Sequence, residues 1–236
     1  KPAISAKARI PSLDRYHELY ARSVDSPEAF WDEQAARLDW HRPYQQVRYQ
    51  DFEQANFRWF EGGKLNVAHN CIDRHLEKNA DKTAIIWAKD EAGDYEHISY
   101  RRLHEEVCRF SNVLKAHGVQ KGDRVCIYMP MVPQTAYAML ACARIGAIHS
   151  VVFAGFSAEA LRDRIEDADC RVVLTTNEGL RGGRTIPLKQ TVDKAIQGTK
   201  VETVLVSHRT GTLVPMTEGR DFSLEEEMQK QRPYCP

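Results

Sequence analysis

The sequence predicts an α/β protein: a mainly parallel, doubly wound sheet flanked by helices, preceded by a helical, aromatic-rich N-terminal leader. Three observations predict it. From about residue 103 to 207, helix-like and strand-like patterns alternate through four strands. Those strands are continuously apolar rather than alternating, as expected when helices cover both sheet faces. The 236 residues, 42% hydrophobic and 28% charged, suffice for a sizeable core.

The leader runs over residues 1–64. Ser26-Pro27-Glu28 reads as an N-cap, a proline in the first turn and an early acid. Phe30, Trp31, Ala35 and Leu38 continue as a helical stripe. Trp40, Tyr44, Tyr49, Phe52, Phe57, Trp59 and Phe60 follow without a clear period, and Gly62-Gly63 ends the segment. Such a segment is expected to wrap over a larger body, residues 65–236. There Leu65, Ala68, Ile72 and Leu76 space as one helix face. Thr83 to Trp87 reads as a strand, with Asp94 to Ser99 as a hairpin partner across Gly93.

Leu103, Val107, Phe110 and Leu114 then predict an amphipathic helix closed by Gly118. Val125 to Met129 is the first apolar strand. Pro133 opens a helix that ends near Gly146, and Ile148 to Phe153 is the second strand. Ser157 is placed to cap a helix bearing Leu161 and Ile165. Val172 to Thr175 is the third strand, Leu188 to Ile196 a helix, and Val201 to Ser207 the fourth strand. The tail from Thr210 is polar, and its Glu225-Glu226-Glu227 run reads as a solvated helix face.

Composition excludes several function classes. With 33 basic and 33 acidic residues there is no basic excess to hold nucleic acid. No apolar run approaches a membrane span, and Lys1-Pro2-Ala3-Ile4-Ser5 lacks a signal-peptide core. The six cysteines, none in a C-x-x-C pair, read as reduced thiols of a cytoplasmic protein. Cys71 and His75 are four apart on a helical pattern, but no further ligands lie nearby at site spacing. Core packing is the better reading, and no metal site is expected.

Familiar phosphate and dinucleotide motifs, a nucleophile elbow and H-E-x-x-H are all missing. Arg209-Thr210-Gly211-Thr212 reads as a turn, and His149 as a core or edge histidine. No complete set of catalytic residues is present.

Three features could touch a ligand. Arg181 and Arg184 flank Gly182-Gly183 just after the third strand; arginine forks match phosphate oxygens, and glycines let backbone approach closely. Phe153-Ala154-Gly155 turns from the second strand into a helix N-terminus, where Phe153 could stack on a flat ring. Each also has an ordinary reading, as a solvated turn and as a strand end. These loops follow consecutive parallel strands, so both are expected on one sheet edge. The third, Tyr128-Met129-Pro130-Met131-Val132-Pro133, is more readily explained by packing.

Several stretches carry a further signal: Trp59 to Asn66, Asn70 to Leu76, Leu103 to Phe110, Tyr128 to Pro133, Met139 to Ala147, His149 to Phe153 and the Arg181/Arg184 loop. Over nearly the whole chain they resemble the AMP-forming acetyl-coenzyme A synthetases of the adenylate-forming acyl-CoA synthetase superfamily. The resemblance implies a ligase that joins acetate to ATP as acetyl-adenylate, then passes the acetyl group to coenzyme A. ATP and coenzyme A are then substrates, with Mg2+ expected from ligands outside this chain. It implies that Arg181, Gly182, Gly183 and Arg184 bind the nucleotide end of coenzyme A, including its 3′-phosphate. It places Phe153, Ala154 and Gly155 beside the adenine, with Ala154 standing where the family often has glycine. The family's members are more than twice as long, which makes this chain the N-terminal portion, expected to be inactive alone. Its partners are then these small molecules and the missing C-terminal part. Propionyl- or acetoacetyl-CoA synthetases, a non-catalytic coenzyme A- or nucleotide-binding module and a scaffold domain remain alternatives.

Overall fold

In the computed structural model, residues 7–236 are described; Lys1-Pro2-Ala3-Ile4-Ser5 lies outside them. The chain divides into two units, Lys1–Asn66 and Val67–Pro236.

The first unit opens with helices α1 (Leu13–Asp25) and α2 (Pro27–Ala35). The Ser12 hydroxyl accepts from Arg15 N at 3.2 Å and caps α1. Ser26 does occupy the cap position of α2, but its side chain makes no capping bond. The aromatic stretch that shows no period in sequence folds as an antiparallel hairpin, β1 (Gln46–Asp51) and β2 (Asn56–Glu61). Trp40, Tyr44 and Phe60 cluster with ring centroids 5.0–5.6 Å apart. Gly63 lies beneath Trp40, where a Cβ would meet the indole at 2.6 Å.

The second unit starts with α3 (Val67–Cys71), a 3-10 turn (Asp73–His75) and α4 (Leu76–Asn79). The single helix face read from Leu65 to Leu76 is therefore interrupted at Ile72, whose φ −126° and ψ −67° leave the helical region. Next to the break, the Asp73 carboxylate accepts from Arg144 Nη2 at 2.6 and 2.8 Å and pairs with His104 Nε2 at 3.1 Å.

β3 (Thr83–Ala88) and β4 (Tyr95–Ser99) form the expected hairpin. Ser99 caps α5 (Tyr100–Ala116) through Arg102 N at 3.2 Å. The alternating region follows as β5 (Arg124–Tyr128), α6 (Pro133–Ile145), β6 (Ile148–Val151), α7 (Ala158–Asp167) and β7 (Val172–Thr176). The chain continues through a small hairpin, β8 (Gly179–Arg181) and β9 (Arg184–Ile186), then α8 (Leu188–Ala195), β10 (Thr203–Ser207), β11 (Asp221–Ser223) and α9 (Leu224–Gln229).

The five-stranded sheet has the order β11-β10-β7-β5-β6, and every pairing is parallel. Val125, Ile127, Leu174 and Leu205 bury into one core cluster, with Phe110 of α5 and Tyr137 of α6. Cys126, Tyr128, Val173, Val204 and Val206 bury into the other, with Leu161 of α7 and Val192 of α8. Alternate residues of each inner strand thus enter opposite cores, which is why those strands carry no polar face.

β6 departs from this pattern. It is an edge strand, it ends at Val151 rather than Phe153, and Ile148, His149 and Val151 are exposed. The tail adds a strand not read in the sequence, the three-residue β11. Its acidic run is only partly solvated: Glu225 accepts from Ser207 Oγ at 2.6 Å, and Glu227 from Lys230 Nζ at 2.6 Å.

Two polar assemblies fix the ends of the unit. Lys189, wholly buried, pairs through Nζ with Asp193 and with Asp221 at 2.8 Å, while Arg220 pairs with the same two acids. A strap over residues 231–235 lies along α5 and α6. Arg109 donates to Gln231 O, Asn112 Nδ2 to Arg232 O and Tyr234 O, and Arg144 to Cys235 O, at 2.9–3.1 Å. All six cysteines are free, and only Cys71 is exposed. Burial pushes the Cys142 thiol up to about 12, so it stays protonated.

Candidate functional site: an arginine hairpin at the sheet edge

The order β11-β10-β7-β5-β6 fixes where a ligand fits. From β5 the chain moves one way to β6, then crosses back to β7 on the other side. The crevice at the carboxyl ends of β5 and β7 is the switch point of such a sheet. Four connections leave this edge, after β5, β6, β7 and β10, and the three features singled out in sequence lie on the first three.

Arg181 and Arg184 are direct cross-strand partners in the β8–β9 hairpin. The turn between them is Gly182 at φ +57° and Gly183 at φ +72°. Two successive residues at positive φ make the type I′ turn that matches strand twist. A Cβ at either position would meet nothing within 4 Å, so backbone conformation, not space, calls for glycine. Direct partners carry their side chains on one face of a ladder, so the two arginines leave the hairpin from the same face. Both arginines are exposed, and neither has a carboxylate partner among the described residues.

The Phe153 corner meets this hairpin. Arg181 Cζ stands 5.6 Å from the Phe153 ring centroid, within cation–π range. The Phe153 ring is 57% exposed and packs edge-on against Phe156 at 5.7 Å. Ala154 is buried, and Gly155 lies under the ring, where a Cβ would meet Phe153 Cε1 at 2.5 Å. Ser157 caps α7 by accepting from Ala160 N at 3.3 Å. Tyr128, at the end of β5, donates its hydroxyl to Phe156 O at 2.8 Å and ties the corner to the sheet. In the stretch after β5, Met129 and Val132 are buried while Met131 is exposed; Pro130 O accepts from Thr135 Oγ1, and Met131 O from Trp87 Nε1.

Sequence reasoning missed Asn177. Its fully buried side chain joins the exit of β7 to the turn after β10. Nδ2 donates to Thr210 O, Thr210 Oγ1 and Thr212 O at 2.9–3.0 Å. Oδ1 accepts from Glu178 N and Arg209 N, each at 2.8 Å. The one available signal was local: an Asn between a strand end and a glycine is a turn-forming residue. Arg209 forms part of that turn; its guanidinium lies 4.9 Å over Trp87 and pairs with Asp90. Below it, burial pushes the Glu225 carboxyl up, but hydrogen bonds from Ser207 and His208 outweigh this and hold it below the usual range.

The arrangement suits binding. A guanidinium group beside an aromatic face, with a second arginine on the facing strand, can hold phosphate oxygens next to a flat ring. No group of three or more His, Cys, Asp or Glu side chains among the described residues could hold a metal ion. No helix there is long and apolar enough to cross a membrane. His149 lies on the outer strand, exposed.

Residues 72–234 match the family model described as AMP-binding enzyme, and residues 16–71 match that of the acetyl-coenzyme A synthetase N-terminus. The chain belongs to the AMP-binding enzyme family. The two matches meet at Cys71/Ile72, the point where the first helix of the second unit breaks. Acetyl-coenzyme A synthetase 2 of Pseudomonas aeruginosa is 56% identical over 225 residues, covering 94% of this chain and 35% of that protein. Acetyl-coenzyme A synthetase of Alkalilimnicola ehrlichii is 54% identical over 235 residues, covering 99% and 36%. Among solved structures, acetoacetyl-CoA synthetase from Streptomyces lividans superposes with a TM-score of 0.80 at 25% identity. It covers 96% of this chain and 35% of that one. The chain thus spans about a third of the length of the curated relatives it matches.

Proposed function

We propose that this chain is the N-terminal portion of an AMP-forming acetate–CoA ligase, and that its arginine hairpin and Phe153 corner hold the nucleotide end of coenzyme A. In that reaction acetate attacks ATP, releasing diphosphate and forming acetyl-adenylate. The coenzyme A thiol then attacks the adenylate and releases AMP. Arg181 and Arg184 bind the 3′-phosphate, Gly182 and Gly183 hold them side by side, and Phe153, Ala154 and Gly155 lie beside the adenine. The adenylation chemistry, its Mg2+ and the acyl pocket belong to residues outside this chain, in the C-terminal part of the same polypeptide. We place the enzyme in the cytoplasm, with small-molecule substrates and neither nucleic acid nor membrane as partner.

The observation that carries this reading is the convergence of Arg181 on Phe153 from separate connections, with both arginines free of internal carboxylates. The likeness to an acetoacetyl-CoA synthetase supports a second reading in which the acyl group is larger. Both readings share the same coenzyme A site, since acyl choice is made elsewhere.

The test compares coenzyme A with 3′-dephospho-coenzyme A as substrate of the complete polypeptide. Arg181→Ala and Arg184→Ala are each expected to reduce kcat/KM for coenzyme A by about tenfold or more, the loss of one charge-assisted contact. The dephospho substrate is expected to be little affected. Equal losses with both substrates would overturn the assignment. The 236 residues alone are expected to give no acetate-dependent pyrophosphate exchange.

A further inference from the structure

We propose that Asn177 is a positioning residue for the arginine hairpin, fixing the direction in which β8 and β9 leave the sheet. The inference rests on the coenzyme A reading above and adds to it a residue that touches no ligand.

The hairpin is a weak element by itself. Its two strands have three residues each, its tip is exposed, and a lone two-stranded ribbon is marginal in water. Its direction must therefore come from its base, and both ends of the base meet at Asn177. On the outgoing side, Asn177 N donates to Ser207 O at 2.9 Å and its Oδ1 receives Glu178 N, the residue before β8. On the returning side, Asn177 O accepts from Lys189 N at 3.2 Å, just beyond the hairpin in the first turn of α8.

The side chain adds a long-range clamp. Its amide is shared among three acceptors on the turn 210–212, while Arg209 N donates back to Oδ1. Thr210 Oγ1 closes the loop by donating to Glu178 Oε2 at 2.6 Å. One carboxamide, wholly removed from water, thus satisfies polar groups from the β7 exit and the β10 exit together. Removing it takes their shared partner from the Thr210 and Thr212 carbonyls and from the Glu178 and Arg209 amides. The least costly relief is for the turn 210–212 to part from Glu178 and let the hairpin swing. Two guanidinium groups that must meet one phosphate lose contact through a displacement of about 1 Å.

The experiment measures selectivity, the ratio of kcat/KM for coenzyme A to that for 3′-dephospho-coenzyme A, in the complete polypeptide. Asn177→Ala is expected to lower selectivity by about tenfold, and Thr210→Val, a milder change on a partly exposed turn, by about threefold. Asn112→Ala is the control for general destabilisation. It frees two strap carbonyls bound at 3.0 Å, far along the sequence from the hairpin, and is expected to leave selectivity unchanged. Selectivity lost in Arg184→Ala but kept in Asn177→Ala would overturn the positioning role alone. An equal loss in Asn112→Ala would overturn it too. Selectivity kept in Arg184→Ala would overturn the coenzyme A reading itself. Should Asn177→Ala yield no folded protein, Thr210→Val decides, and unchanged selectivity there refutes the proposal.

Discussion

Deprotonating His104 is expected to cost the second unit a measurable part of its stability. His104 Nε2 is 3.1 Å from Asp73, with side chains only 19% and 22% exposed. The hydrogen bond to Asp73, supported by one with Cys108, raises the imidazole from 6.5 to about 9. A group whose folded pKa lies above its unfolded value stabilises fully below the unfolded value. That contribution is lost as pH rises through the folded one. The window is therefore 6.5 to about 9, and a displacement of that size corresponds to about 3 kcal/mol. For Asp73, burial pushes the carboxyl up, but hydrogen bonds from His104 and Arg144 prevail and hold it at about 2. Its contribution is present above 3.8 and is lost as pH falls through about 2. Both describe one shared contact, so they are not summed. The assay is NMR titration of the His104 ring, with urea unfolding across the same pH range. The wild-type midpoint is expected near 9 and is expected to move by at least about one pH unit toward 6.5 in Asp73→Asn. A wild-type midpoint at or below 6.5, or superimposable titrations of the two proteins, would refute the reasoning.

Two further outcomes follow from close contacts. In Gly155→Ala the new methyl group would sit 2.5 Å from Phe153 Cε1, and the half-exposed ring is free to move. The ring is expected to leave Arg181, changing the Phe153 resonances and weakening coenzyme A binding, at a stability cost under about 1 kcal/mol; an unmoved ring contradicts this. In Asp221→Asn the buried Lys189 ammonium, 2.8 Å away, loses one of its anionic partners. Urea unfolding is expected to reveal a loss of about 3 kcal/mol, and a loss below about 1 kcal/mol would mean that water or Asp193 compensates.

What could be read in the sequence follows from what covers each element. β5, β7 and β10 are legible because both faces are buried, leaving runs such as Val172-Val173-Leu174 without a polar position. Helix ends were marked by Pro133, Gly146 and Ser157, each of which takes the expected place. β1 and β2 gave no period because aromatic side chains such as Tyr49 and Trp59 remain substantially exposed, so no two-residue alternation develops. β11 was hidden by its length and by opening on Asp221, whose burial depends on Lys189 and Arg220. At the candidate site, the arginines, glycines and Phe153 were individually visible in sequence. Their pairing across a type I′ turn is encoded by the glycine pair but depends on a hairpin that the sequence pattern does not mark. Asn177 was illegible because its side-chain partners lie up to 35 residues away, at Thr212.

The strap at 231–235 has a consequence for how the sequence is free to drift. The hydrogen bonds of Arg109, Asn112 and Arg144 to the strap all reach peptide oxygens of Gln231, Arg232, Tyr234 and Cys235. Spelling is therefore nearly immaterial at Gln231, Arg232 and Tyr234, whereas counting is not. Inserting or deleting a single residue would slide every carbonyl past its donor and withdraw Cys235 from its niche.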